Sequence, residues 1–128
     1  MTVMRYTPKD EIDARVRTLQ QTLDQLNLDG ALVVHHTNLF YLSGTSQAAH
    51  LFVPRTGAPL LLVRKSFERA RRESPIGEIL EVRSLKMIPE LLAERGFRFD
   101  ALGVELDVMP YKTWQFYQKV FAASTMQD

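Results

Sequence analysis

The chain has 128 residues, of which 45% are hydrophobic and 24% charged, with a formal net charge of +1. That length suits one domain with one hydrophobic core, and the near-neutral charge argues against nucleic acid or an anionic membrane as a partner. The lack of cysteine excludes disulfides, thiolate metal sites and a cysteine nucleophile. No apolar run approaches the ~20 residues that span a bilayer, and residues 1–13 lack the apolar core of a signal peptide. We therefore expect a cytoplasmic location.

The first predicted element is an amphipathic helix. Thr7 and Pro8 suit its start, Thr7 as the cap and Pro8 at the first helical position. Apolar residues then recur at spacings of four and three and form one stripe: Ile12, Val16, Leu19, Leu23 and Leu26. Asn27 is predicted to end the helix, because asparagine tolerates a left-handed backbone.

Three short apolar runs predict the first strands. They are Ala31 to His35, Leu51 to Pro54 and Pro59 to Arg64. A turn of helix from Asn38 to Gly44 separates the first two strands. The glycine-containing connection between the second and third is too short for a helical crossover, so it predicts an antiparallel hairpin.

The second half of the chain alternates helices with strands. A helix is predicted from Ser66, as its cap, to the residue before Ser74. A strand follows from Glu78 to Arg83, and its core side is formed by Ile79, Leu80 and Val82. The next helix has Pro89 in its first turn, runs to Arg95 and is closed by Gly96. The last predicted elements are a strand from Ala101 to Leu106 and a helix that opens at Pro110, with Trp114, Tyr117 and Phe121 on one side. This order predicts an α/β fold. We expect a single layered domain, with helices flanking a mixed, mostly parallel sheet of five or six strands.

The histidines do not form a recognisable metal motif. His35 and His36 are adjacent, so on a strand they face opposite sides and cannot both bind one metal. His50 begins the next strand, and a zinc site needs at least a third protein ligand. A carboxylate at a strand end could supply one, and the candidates are Asp29, Glu105 and Asp107. Nothing in their spacing fixes the geometry. Polar residues at strand ends are the simpler interpretation.

No other catalytic motif is present. Ser43 and Ser46 flank a glycine, but the Gly-x-Ser-x-Gly elbow of hydrolases is missing, as are the glycine-rich loops that bind nucleotides. Composition and spacing therefore indicate an α/β domain with no self-contained active site.

One segment resembles a known family. After the apolar run at Leu32 comes an Asn-x-x-Tyr-Leu-Ser-Gly turn, made by Asn38, Tyr41, Leu42, Ser43 and Gly44. This turn is similar to one in the N-terminal domain of the creatinase/prolidase/aminopeptidase P family. The similarity continues through the hairpin runs 51–54 and 59–63 and the helix start at 66–70. It includes the fifth strand at 102–105 and the start of the last helix at 109–110, and it covers roughly residues 12–128. Asn27 stands where the family often has glycine, and His36-Thr37 where it often has proline before the turn.

The resemblance implies a ribonuclease H-like N-terminal domain that holds no catalytic residue, no metal ligand and no cofactor. In the family, a second domain with the pita-bread fold binds two divalent metal ions through two Asp, one His and two Glu. That domain is absent from this chain, and residues 124–128 resemble the last strand before it. The implied partners are the catalytic domain of a parent protein and a second subunit in a homodimer. Peptide substrate is contacted only indirectly, and neither nucleic acid nor membrane is expected.

The resemblance also points to a substrate-access or interface loop. Its residues are Tyr41, Gly44, Thr45, Ser46 and His50. They would form part of the wall of the neighbouring subunit's active site, excluding water and limiting peptide length. For Tyr41 and Leu42 core packing is the competing interpretation. We therefore expect Asn38 to Gly44 to be buried and Thr45 to His50 to be exposed.

Three functions remain open at this point. The first is a non-catalytic domain of a Xaa-Pro peptidase, contributing to dimerisation and to the active-site wall. The second is a non-catalytic module of the same fold that binds a protein or peptide, as in the large subunit of the FACT histone chaperone. The third is a small hydrolase built on His35, His36 and His50.

Overall fold

The computed structural model describes residues 7–45, 49–97, 99–104 and 125–127. In chain order the elements are α1 (Lys9–Gln25), β1 (Gly30–Val33), α2 (His36–Ser43), β2 (Ala49–Pro54), β3 (Leu60–Val63), α3 (Phe67–Glu73), β4 (Glu78–Glu81), a 3-10 turn (Leu85–Met87), α4 (Ile88–Glu94), β5 (Ala101–Gly103) and β6 (Thr125–Gln127). The predicted elements are confirmed in order and type across these residues. The predicted helix at Pro110, with Trp114, Tyr117 and Phe121, lies outside them.

The described strands form one six-stranded mixed sheet in the order β4-β3-β2-β1-β5-β6. The β2–β3 hairpin is antiparallel, as predicted, and three pairs are parallel: β3–β4, β1–β5 and β5–β6. A second antiparallel pair joins β1 to β2, although a helix lies between them in sequence. The pattern had indicated only one such pair. The mixed, mostly parallel sheet is otherwise as expected.

The sheet has a hydrophobic core on each face. The core on one face, called the α1 face, contains Ile12 and Val16 of α1, Leu39 of α2 and Ala70 of α3. The core on the opposite face, called the α4 face, contains Ile88 and Leu92 of α4 packed with Phe52, Leu62 and Leu102. Successive strand residues alternate between the faces, which is why neighbouring residues of one strand belong to different cores.

Some of the helix ends agree with the capping residues predicted from the sequence, and others do not. Asn27 has a φ of 57°, the left-handed stop that the sequence predicted. Pro8 occupies the N-cap of α1 and Thr7 lies outside it, so the prediction that Thr7 caps the helix was wrong by one residue. Ser66 is the N-cap of α3 as predicted, but with a φ of 59° and no side-chain hydrogen bond to the helix. Leu26, the last residue of the predicted apolar stripe, lies just beyond the end of α1 and is 47% exposed.

A polar cluster ties the start of β1 to two other strands. Asp29 Oδ2 accepts the backbone N–H of Ala101 at 2.9 Å, and Arg55 Nε donates to the carbonyl of Leu28 at 2.7 Å. Arg55 also donates to Asn27 Oδ1 and lies 3.9 Å from Asp29 Oδ1. Asp29, one of the candidate metal ligands of the sequence, is therefore a structural residue that joins β1 to β5 and to the hairpin.

Candidate interface site

Helix α2 ends at Gly44, which cannot be replaced by another residue without strain. Gly44 has a φ of 83°, and its N–H donates to the carbonyl of Phe40 at 2.8 Å. A Cβ on Gly44 would lie 3.2 Å from the carbonyl oxygen of Glu73 and 3.3 Å from Pro75 Cδ. Both the left-handed backbone and this close approach favour glycine. The turn therefore packs directly on the end of α3.

Ser43 and Thr45, the residues on either side of Gly44, are fixed by hydrogen bonds. Ser43 Oγ donates to the carbonyl of Leu39 and accepts the N–H of Thr45, and both side chains are fully buried. Thr45 Oγ1 donates to Glu73 Oε1 at 2.8 Å, while Arg69 Nε donates to Glu73 Oε2 at 3.1 Å. The Ser43 hydroxyl is used within its own turn, so this serine serves the backbone and is not placed as a nucleophile.

The exposure of the segment departs from the expectation at several residues. Tyr41, for which core packing was the competing interpretation, is 54% exposed, and its neighbour Phe40 is 51% exposed. Thr45 and His50, expected on the surface, are 0% and 5% exposed. The burial expected for Asn38 to Gly44 is therefore confirmed at Leu39, Leu42, Ser43 and Gly44 and wrong at Phe40 and Tyr41. The exposure expected for Thr45 to His50 is wrong at Thr45 and His50. Ser46 lies outside the described residues.

On the surface, Tyr41 stacks with a cation of α1. Arg15 Cζ is 4.3 Å from the centre of the Tyr41 ring, within the range of a cation–π contact. Arg15 Nη1 also donates to the Tyr41 carbonyl at 2.9 Å, and its Nη2 lies 3.5 Å from Glu11. The ring is thus fixed on α1 while about half of it faces solvent.

His50 belongs to a different part of the fold. It is two residues from Phe52 on β2, so it shares the α4 face, whereas Thr45 contacts α3 on the α1 face. Desolvation by burial, with a smaller contribution from Arg64, lowers the pKa of His50 from 6.5 to about 4. His50 is therefore neutral at pH 7, and the structure does not bring it together with the other predicted site residues.

The described residues contain no group of three His, Cys, Asp or Glu side chains that could hold a metal ion. His35 is the N-cap of α2 and accepts the N–H of Leu39 through its carbonyl. Glu105 and Asp107 lie outside the described residues. Across those same residues no helix has both the length and the apolar character to cross a membrane.

The family of the chain follows from its sequence. Residues 15–128 match the model of the creatinase/prolidase N-terminal domain. The chain belongs to this family. No curated protein sequence matches the chain.

Solved structures share the fold of this creatinase/prolidase N-terminal domain. A Xaa-Pro dipeptidase from Bacillus anthracis superposes with a TM-score of 0.78 at 17% identity, over 91% of this chain and 33% of that one. A Xaa-Pro aminopeptidase from Streptococcus pyogenes gives 0.79 at 24% identity, over 94% of this chain and 92% of that one. The N-terminal domain of an X-Pro dipeptidase from Streptococcus pyogenes gives 0.71 at 19% identity, over 89% and 92%. The chain thus spans about a third of the length of the Bacillus anthracis dipeptidase.

Proposed function

We propose that this chain is the non-catalytic N-terminal domain of a cytoplasmic Xaa-Pro peptidase, and that residues 1–128 fold as one domain. The observation that carries the proposal is the family match over residues 15–128. Catalysis belongs to a following pita-bread domain in which two divalent metal ions activate water for cleavage of the bond next to proline. The N-terminal domain contributes to a homodimer and forms part of the wall of the neighbouring subunit's active site.

The anchoring of the α2 turn supports a wall function. Residues 46–48 connect Thr45 and Ala49, which are 0% and 4% exposed. Thr45 is fixed to Glu73, and Ala49 begins β2 in register with Val63. The two residues that border the proposed wall segment are therefore buried and held by contacts with the rest of the domain, which is the rigid support that a site requires. The domain would therefore contact peptide substrate only indirectly, by excluding peptides that are too long for the active site.

The first expected result concerns activity. The pure 128-residue chain, supplied with Mn²⁺ or Co²⁺, releases no proline from a Xaa-Pro dipeptide. The longer protein encoded by the same gene does so, in a metal-dependent way, and sediments as a dimer. Cleavage by the 128-residue chain would overturn the proposal. A longer protein that lacks the five metal ligands and has no activity would favour the alternative, a module of the same fold that binds protein or peptide.

The second expected result concerns the wall. In the longer protein, Ser46→Trp raises KM for tripeptides and longer substrates about fivefold, a change of ~1 kcal/mol, and leaves kcat for a dipeptide unchanged. The larger side chain narrows access without touching the reacting atoms. Thr56→Trp, in the exposed β2–β3 hairpin, is the matched control and leaves all constants unchanged. Equal effects of the two variants would contradict a wall function for this loop.

A further inference from the structure

A largely apolar groove of about 420 Å³ lies on the α1 face beside β1 and β5. Leu19, Leu23 and Leu26 of α1 form one side, Ala31 and Val33 of β1 the floor, and Tyr41 of α2 one end. Two of its lining residues, Leu26 and Tyr41, are large hydrophobic side chains that remain 47% and 54% exposed. The groove also reaches Gly103 of β5, which has no side chain to fill it.

Three of the polar residues that line the groove already use their side chains within the chain. Thr18 Oγ1 donates to the carbonyl of Ala14 at 3.1 Å, and Thr22 Oγ1 donates to that of Thr18 at 3.4 Å. Arg15 is occupied by the Tyr41 carbonyl and by Glu11. An occupant of this groove must therefore offer mainly apolar side chains, as an amphipathic segment does when it docks in a helix groove.

The chain leaves the sheet next to the groove. Gln127 of β6 pairs with Gly103 of β5, so the end of β6 lies one strand spacing, about 4.8 Å, from a residue that lines the groove. The Bacillus anthracis dipeptidase is about three times as long as the part of it that this chain matches. A segment that follows Asp128 can therefore turn back onto the α1 face within a few residues.

We infer that the groove is the docking site of the segment that follows Asp128 in the parent protein, an amphipathic stretch that packs its apolar side against Leu26 and Tyr41. The inference rests on the proposed function only in assuming that the chain continues. The docked segment fixes the orientation of this domain relative to whatever follows it. Leu26 and Tyr41, exposed in the 128-residue chain, become buried in the longer protein.

The absence of cysteine from the chain allows a direct test. Thr22→Cys places a thiol at the rim of the groove, and Gln21→Cys places one on an exposed position of α1 outside it. Each variant is made in the 128-residue chain and in the longer protein. Mass spectrometry of the peptide that contains the new cysteine follows its alkylation by N-ethylmaleimide.

The thiol at residue 22 should react at least tenfold more slowly in the longer protein than in the 128-residue chain, while the thiol at residue 21 reacts equally in both. Equal reaction of residue 22 in both proteins would overturn the proposal, as would a native chain that ends at Asp128. Protection already present in the 128-residue chain would also overturn it. Such protection assigns the groove to residues 105–124 if it is independent of concentration, and to a second copy if it increases with concentration.

Hydrogen exchange provides a readout that needs no substitution. Backbone amides of α1 from Leu19 to Leu23 should exchange at least tenfold more slowly in the longer protein, and unchanged exchange would contradict docking. The result is independent of catalysis. A longer protein without peptidase activity that still protects residue 22 would refute the proposed function and support the groove assignment.

Discussion

Acidification should destabilise the protein through His50. Its pKa is about 4 in the folded chain and 6.5 as the unperturbed value, because burial disfavours the imidazolium. Between these two values the unfolded chain binds a proton at His50 that the folded chain does not. Stability from this histidine is therefore fully present above pH 6.5, falls as the pH drops towards 4, and changes no further below that. The total loss is about 3 kcal/mol.

The effect is measured as a difference between two proteins. Urea unfolding at pH 7 and pH 4 gives the acid-induced loss of free energy for the native chain and for His50→Leu, which has no proton to bind. Leu62 already lies opposite residue 50 in the hairpin, so leucine suits the site. Ion pairs such as Arg69–Glu73 weaken equally in both proteins and cancel. The native chain should lose about 3 kcal/mol more than the variant, and equal losses would show that His50 does not titrate as described.

The helices and the hairpin were predictable because their signals are local. The stripe from Ile12 to Leu23 repeats with the period of a helix, and Asn27 marks the end of that helix with a positive φ. The β2–β3 hairpin is similarly set by the few residues between its strands, with Gly57 at a φ of 98°. In each case the residues that determine the conformation lie close together in the sequence.

The pairing of β1 with β2 shows where such reasoning stops. A helix between two strands usually indicates a parallel crossover, yet β1 and β2 are antiparallel neighbours with Leu32 opposite Phe52. Helix α2 has only eight residues and covers part of the α1 face without carrying the chain over to a parallel position. The direction of a strand depends on its neighbours in the complete sheet, and the residues around the strand do not determine those neighbours.

The exposure of the candidate site depends on partners that are distant in sequence. Thr45 is buried because Glu73, 28 residues later, provides an acceptor for its hydroxyl at the end of α3. At the surface, the ring of Tyr41 stacks with Arg15, 26 residues earlier. The sequence around the turn contains neither partner, so polarity alone could predict neither the burial of Thr45 nor the exposed stacking of Tyr41. Gly44 was recognisable because it ends a helix with a positive φ, which is a local feature of the backbone.

The second large effect is expected at Gly30, where β1 begins. A Cβ built on this residue would lie 2.8 Å from two ring carbons of Phe52 and 2.9 Å from the carbonyl oxygen of Val53. Phe52 is fully buried, and its ring is 5.2 Å from that of Phe97, so it cannot move away without disturbing a second aromatic side chain. Overpacking of this kind costs about 1–3 kcal/mol. Gly30→Ala should therefore lower the free energy of unfolding by ~2 kcal/mol.

Gly77→Ala is the matched control, because no heavy atom lies within 4 Å of its added Cβ and its backbone is not left-handed. There the substitution should be neutral or stabilising by up to ~1 kcal/mol, since alanine reduces the entropy of the unfolded chain. Urea unfolding of both variants, and of Gly30→Ala combined with Phe52→Leu, separates the contributions. Removing the ring should reduce the cost at Gly30 but not abolish it, because the contact with the Val53 carbonyl remains. A cost at Gly30 equal to that at Gly77 would show that the β1–β2 register is looser than this packing implies.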